Sequence, residues 1–220
     1  MDSQFEGRTV RSYLVDVPRS QIVLLHGGCF QMGDHTWNRE QAEALASQFH
    51  ANVYVPDFPQ SSLEDTQHWL AHYISHLPSD LDLTVMGTSS GGYHALWLAS
   101  QNLVNQCWAL CPVADPYARY QYLETSTHPK RNEMMSQQLK YFGSLENMHT
   151  ATDLLITQTI SVPTTLICVG DDQNVPLAQI NYVCQHQPII NQVVLNEGGH
   201  QTCFQASKTV IDILAPTLQR

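Results

Sequence analysis

What most limits the fold of this chain is a rhythm of short apolar runs, each followed by a stretch with helical periodicity. The runs are Val10–Val15, Ile22–Leu25, Val53–Val55, Leu83–Met86, Cys107–Leu110, Thr164–Val169 and Gln192–Leu195. Several are apolar at every position, as strands covered on both faces must be. Helical stretches fall between them at about 37–49, 65–77, 92–101, 177–185 and 202–214. In the second, Thr66, Trp69, Leu70, Tyr73, Ile74 and Leu77 recur at three- and four-residue steps and form one apolar stripe. Ser61 and Glu64 fit a capping box at its start, and Pro78 ends it. Such alternation predicts an α/β fold with a mostly parallel central sheet and helices on both faces. The 220 residues suit one domain.

One section breaks the rhythm. Residues 112–161 contain no convincing strand and many aromatic and sulfur side chains, among them Tyr117, Tyr120, Tyr122, Met134, Met135, Tyr141, Phe142 and Met148. This is too long for a plain connection in a compact domain. A helical cap insertion over the functional edge of the sheet is expected. The alternative is that these side chains are ordinary core of extra helices.

Charge narrows the partners. A formal net charge of −10 with no long like-charge run opposes binding to nucleic acid or to an anionic membrane surface. The N-terminal stretch has no apolar segment of signal-peptide length, and no run reaches the roughly 18 apolar residues of a membrane span. Cys107, Cys168 and Cys203 lie in apolar runs, where cysteine packs as a small core residue. Cys107 and Cys111 lack a second pair at metal-ligand spacing, so no zinc site is expected. A cytoplasmic location follows as the expectation.

Four short motifs carry chemistry. Gly87-Thr88-Ser89-Ser90-Gly91 joins a buried strand to a helix. A sharp strand-to-helix turn lifts its central side chain clear of the chain and requires small residues two places before and after. The central residue is Ser89, a candidate nucleophile, and Ser90 follows with its N–H at the start of the helix. A serine hydroxyl needs a base, and His200 stands in Asn196-Glu197-Gly198-Gly199-His200, directly after the last strand. None of the other ten histidines combines a small-residue loop, a strand end and this place in chain order. The imidazole needs a carboxylate to fix its tautomer, and the strand ending at Val169 leads into Gly170-Asp171-Asp172, where either aspartate can serve. His26-Gly27-Gly28-Cys29-Phe30 follows the strand Ile22–Leu25 and exposes backbone donors. With the N–H of Ser90, those of Gly28 and Cys29 are candidates for an oxyanion hole, and His26 is expected to brace the loop. Neither glycine turn has a phosphate-binding pattern.

Over almost its whole length the chain resembles an α/β-hydrolase-fold serine hydrolase. The His26–Asp34 segment is similar to that of the hormone-sensitive-lipase-like esterases and the kynurenine formamidase-like hydrolases. The resemblance implies Ser89 as nucleophile and His200 as base. It also implies an acid three residues before a Val-Pro pair, which is Asp172 counted from Val175-Pro176. Counted from the preceding glycine, Asp171 remains the alternative. Cys29 stands where many such esterases have a third glycine. The implied activity is cleavage of a carboxylic ester or related acyl bond of a small, apolar or aromatic substrate, without metal or organic cofactor. Arylformamidase-like amide hydrolysis, thioester hydrolysis and a catalytically silent binding module are the competing readings.

Overall fold

A strand covered on both faces leaves no side chain in solvent, and four runs meet that condition at every position. In the computed structural model, which describes residues 1–187, 190–205 and 207–218, these are β3 (Ser20–Leu25), β5 (Leu83–Thr88), β6 (Gln106–Leu110) and β7 (Thr164–Val169). They form the middle of an eight-stranded sheet with β1 (Asp2–Phe5), β2 (Arg8–Tyr13), β4 (Ala51–Pro56) and β8 (Ile190–Leu195), in the order β1-β2-β4-β3-β5-β6-β7-β8. The β1–β2 and β2–β4 pairs are antiparallel and all others parallel.

Side chains alternate between two cores. Ile22, Leu24, Met86 and Trp108 pack on α1 (Arg39–Phe49) and α8 (Lys208–Leu214). Val23, Leu25, Val85 and Cys107 face the other side, under α2 (Leu63–Ser75), α3 (Ser90–Ser100) and α7 (Leu177–His186). Sheet order reverses between β3 and β5: the chain leaves β3 for β4 on one side and β5 for β6 on the other. A crevice opens beyond strand ends at such a point, which is where an open α/β sheet holds its ligand.

Residues 116–157 form α4 (Pro116–Thr125), α5 (Arg131–Phe142) and α6 (Leu145–Thr157). α6 packs on α3, where the Tyr93 hydroxyl donates to Ala151 O at 3.0 Å. α4 and α5 pack on α6 and on each other. Tyr141, Phe142 and Met148 are buried core, whereas Tyr122 is half-exposed.

Three local expectations differ from the fold. The strand β1 is polar and almost wholly exposed, so no apolar alternation marks it. It is held by its ladder to β2 and by a hairpin turn at Glu6 and Gly7, both at positive φ. The α2 cap is Ser62 rather than Ser61: Ser62 Oγ accepts from Asp65 N at 3.1 Å, and Ser61 Oγ donates to the Asp65 carboxylate at 2.7 Å. The last helix is divided, with a 3₁₀ turn at His200–Phe204 and then α8, capped by Ser207 Oγ on Val210 N.

Candidate active site

Gly87 and Gly91 make the β5–α3 turn possible by close backbone approach. A Cβ on Gly91 would lie 2.4 Å from the carbonyl oxygens of Leu25 and His26, and one on Gly87 would lie 2.2 Å from Gly91 O. Between them Ser89 has φ 53° and ψ −119°, a costly conformation for a side chain with a Cβ. Three hydrogen bonds hold it: Ser89 N donates to Leu110 O, and Ser89 O accepts from Gly92 N and Val113 N, at 2.9–3.0 Å. A serine at a helix N-cap ordinarily caps the helix with its own oxygen. Here the Ser89 side chain makes no capping bond; its Oγ lies 2.9 Å from His200 Nε2.

The partner of that imidazole is Asp172, whose Oδ2 is 2.7 Å from His200 Nδ1. A carboxylate only accepts, so Nδ1 carries the ring proton and Nε2 is left to accept from the serine hydroxyl. The other Asp172 oxygen accepts from Asn174 N at 2.8 Å and Val175 N at 2.9 Å. Burial by itself raises this carboxyl; the hydrogen bond and charge of His200, with the two amides, outweigh it and hold it below the usual value. Asp171 points elsewhere. Its oxygens accept from Gly199 N at 2.8 Å and Gly198 N at 3.4 Å, which fixes the turn just before His200. The two adjacent aspartates thus serve the histidine differently, one at its ring and one at its backbone.

The segment after β3 curls on itself. Gly28 O accepts from Gln31 N and Met32 N, and Cys29 and Phe30 take φ of 52° and 68°. Among the described residues, the N–H groups of Gly28, Cys29 and Ser90 make no hydrogen bond to protein acceptors. Gly27 gives the loop its close seat: a Cβ there would lie 2.9 Å from Ser89 Cβ and 2.8 Å from the Phe204 ring. His26 braces the loop as expected. It is buried, stacks on Phe58 at 4.4 Å, and its Nδ1 donates to Gly27 O at 2.8 Å. Burial keeps it neutral by pushing its pKa down. His94 is likewise neutral, pushed down to about 3 by burial.

Several contacts at the site have no signature in the sequence. Phe30 extends from the loop into α5, stacking on Tyr141 at 5.0 Å and meeting Phe142 edge-on at 5.0 Å. Arg119 of α4 is 1% exposed and pairs with no carboxylate among the described residues. Its Nε donates to Asn174 O at 3.0 Å, Nη1 to Gln138 Oε1 at 2.7 Å, and Nη2 to Cys29 Sγ and Met134 Sδ at 3.5 and 3.6 Å. One side chain therefore ties the Cys29 loop, the Asp172 loop and the helical segment together. Behind the histidine, Cys203 Sγ donates to His200 O at 3.0 Å. Cys111, at φ 43°, sets its thiol within 4.8 Å of Cys203 Sγ; the neighbouring thiol and burial push the Cys111 thiol's pKa well up.

A mostly apolar cavity of about 360 Å³ lies between α4 and α7, lined by Asp115, Ala118, Tyr122, Pro176, Ala178, Gln179 and Tyr182. Neither Ser89 nor His200 lines it. No helix among the described residues is long and apolar enough to cross a membrane.

A model of the alpha/beta hydrolase fold family matches residues 22–187. Solved structures with the same fold include an esterase/lipase from an uncultured bacterium, 13% identical with a TM-score of 0.79 over 100% of this chain and 83% of that one. They also include a hyperthermophilic esterase from the archaeon Pyrobaculum calidifontis, 18% identical with a TM-score of 0.76 over 94% and 80%. An alpha/beta superfamily hydrolase from Oenococcus oeni is 16% identical with a TM-score of 0.71 over 99% and 98%. No curated protein matches the sequence.

Proposed function

Because the chain belongs to the α/β-hydrolase fold family and is a hydrolase of the esterase kind, we propose that it cleaves a carboxylic ester or related acyl bond through Ser89, His200 and Asp172. The observation that carries this reading is the continuous hydrogen-bonded line from Ser89 Oγ through both ring nitrogens of His200 to Asp172. Ser89 Oγ attacks the substrate carbonyl while Nε2 takes its proton, and Asp172 stabilises the imidazolium. The tetrahedral oxyanion is held by the N–H groups of Gly28, Cys29 and Ser90, each worth about 10²–10³ in turnover by analogy with other oxyanion holes. Protonated His200 then gives its proton to the leaving group. Water, activated by the same nitrogen, releases the acyl group and regenerates the serine. None of these steps requires a metal or organic cofactor.

Asp171 is assigned to positioning rather than to proton chemistry, since its bonds go to Gly198 and Gly199. The chain is read as one α/β-hydrolase domain with residues 112–161 as its cap. That reading rests on Arg119 and on Tyr141, which bind this segment to the loops around Ser89. The substrate is a small molecule with an apolar or aromatic group, in keeping with the aromatic side chains of the cap.

The test is hydrolysis of a panel of aryl esters, aryl formamides and acyl thioesters, with Ser89→Ala as blank. Ester turnover is expected to exceed formamide and thioester turnover. Ser89→Ala is expected to lower kcat by about 10⁶-fold, the scale of losing a triad serine. Full turnover by that variant would rule the mechanism out.

A further inference from the structure

The spacing of the cysteines in the sequence indicates no metal site, yet the fold brings two of them to the catalytic histidine. Cys111 ends the turn after β6, Cys203 lies in the 3₁₀ turn that carries His200, and all three side chains offer ligand atoms within 4.8 Å of one another. Asp172 adjoins the group through its bond to His200 Nδ1. We infer that Cys111, Cys203 and His200 form an inhibitory site for a thiophilic metal ion, zinc first among them. This inference rests on the reading of His200 as the base.

Two thiolates and an imidazole make a three-ligand set of the kind that zinc takes in tetrahedral geometry with a solvent molecule in the fourth position. With Zn–S near 2.3 Å and Zn–N near 2.0–2.1 Å, tetrahedral donors stand about 3.6–3.8 Å apart. Closing from 4.8 Å or less to that spacing needs only a small inward shift. The element that would move is short. The histidine turn is held by bonds from Thr202 N to Gly199 O and Gln205 N to Thr202 O, both 3.3 Å, at the long end of the range. Gln41 Nε2 anchors its far side on Cys203 O at 3.2 Å. Sulfur ligands select zinc or copper(I) over magnesium and calcium, which prefer oxygen.

Binding exchanges the two thiol protons for the metal, and both protons pass to solvent. The consequence for catalysis is the same whichever nitrogen ligates. A metal on Nδ1 sends the single ring proton to Nε2, which then cannot accept from Ser89, and a metal on Nε2 occupies the lone pair that receives the Ser89 proton. In either case His200 no longer acts as base, and the metal works as a switch on the hydrolase.

The experiment uses the whole chain, freed of metal with a chelator and kept reduced, and titrated with zinc chloride. Aryl-ester hydrolysis and bound zinc after dialysis are read together. Expected are loss of turnover as one zinc per chain is taken up, recovery with EDTA, and no effect of magnesium chloride. Cobalt(II) in place of zinc is expected to give a near-ultraviolet thiolate-to-cobalt charge-transfer band. Cys111→Ser and Cys203→Ser, each normalised to its own metal-free turnover, should raise the half-inhibiting zinc concentration by at least about 10–100-fold, the scale seen when even an outer-shell partner is lost. Unchanged zinc sensitivity in both variants, or a cobalt complex of the unsubstituted chain without the thiolate band, would overturn the inference. The cobalt band reports thiolate ligation even where one variant misfolds, and the other variant's zinc sensitivity then assigns it to this site. It also separates the two readings: a metal-free chain without ester turnover contradicts the hydrolase mechanism, whereas a missing band contradicts the metal site.

Discussion

The β5–α3 turn and the segment between β6 and β7 both reach the candidate active site, but different contacts hold them. The turn is fixed by backbone. Gly87 and Gly91 admit carbonyl groups at distances no Cβ permits, and main-chain bonds hold Ser89 at positive φ. The helical segment is fixed by side chains from distant parts of the chain. Arg119 reaches Asn174 and Cys29, Tyr141 stacks on Phe30, and the Tyr141 hydroxyl donates to Thr66 Oγ1 at 2.7 Å. A backbone-made site tolerates no change of residue size, whereas a side-chain-made cover can lose single contacts and persist.

Among the variants that test this comparison, the largest effect should come from Asp172. Asp172→Asn leaves the imidazole in the wrong tautomer and is expected to lower kcat by about 10⁴-fold, as loss of the triad acid does elsewhere. Asp171→Asn keeps an acceptor for Gly199 N and loses only the charge and the long bond from Gly198 N, and a drop of no more than about 10-fold is expected. Steady-state ester hydrolysis by both variants checks this, and comparable losses would break the division of roles.

Next come two glycines, one from each region. Gly91→Ala drives a methyl group into the carbonyls of Leu25 and His26, and a stability loss above about 3 kcal/mol is expected from overpacking against rigid backbone. Gly143→Ala, between α5 and α6, meets nothing closer than Asn147 Nδ2 at 3.6 Å. There only the strain of φ 78° counts, about 1–2 kcal/mol. Urea unfolding of the two variants gives the comparison, and equal losses would show that close approach is not what fixes the turn. The smallest effect belongs to Tyr141→Phe. Loss of its bond to Thr66 should cost about 1 kcal/mol of stability with turnover intact.

The same contrast explains what could be read in the sequence. The middle strands were legible because each carries a run of apolar residues buried on both faces, and β1 was not because an exposed edge strand needs no apolar alternation. Ser89 and His200 were legible because their glycines lie within a few residues of them. Choosing Asp172 over Asp171 from residues alone was not possible, since both follow the same strand and only the position of the His200 ring, 28 residues on, distinguishes them. Arg119 and Phe30 gave no signal at all. Their partners lie in other elements, and nothing in their neighbours indicates the contact.

The most direct measurement is covalent labelling of the folded protein with a fluorophosphonate, followed by peptide mass spectrometry. Such a probe reacts with a serine whose hydroxyl is activated by a base. One adduct is expected, on Ser89, lost on unfolding and strongly reduced in a His200→Ala variant. An adduct on Ser90, or labelling of Ser89 that survives unfolding or loss of His200, would contradict the assignment of Ser89 as a nucleophile activated by His200.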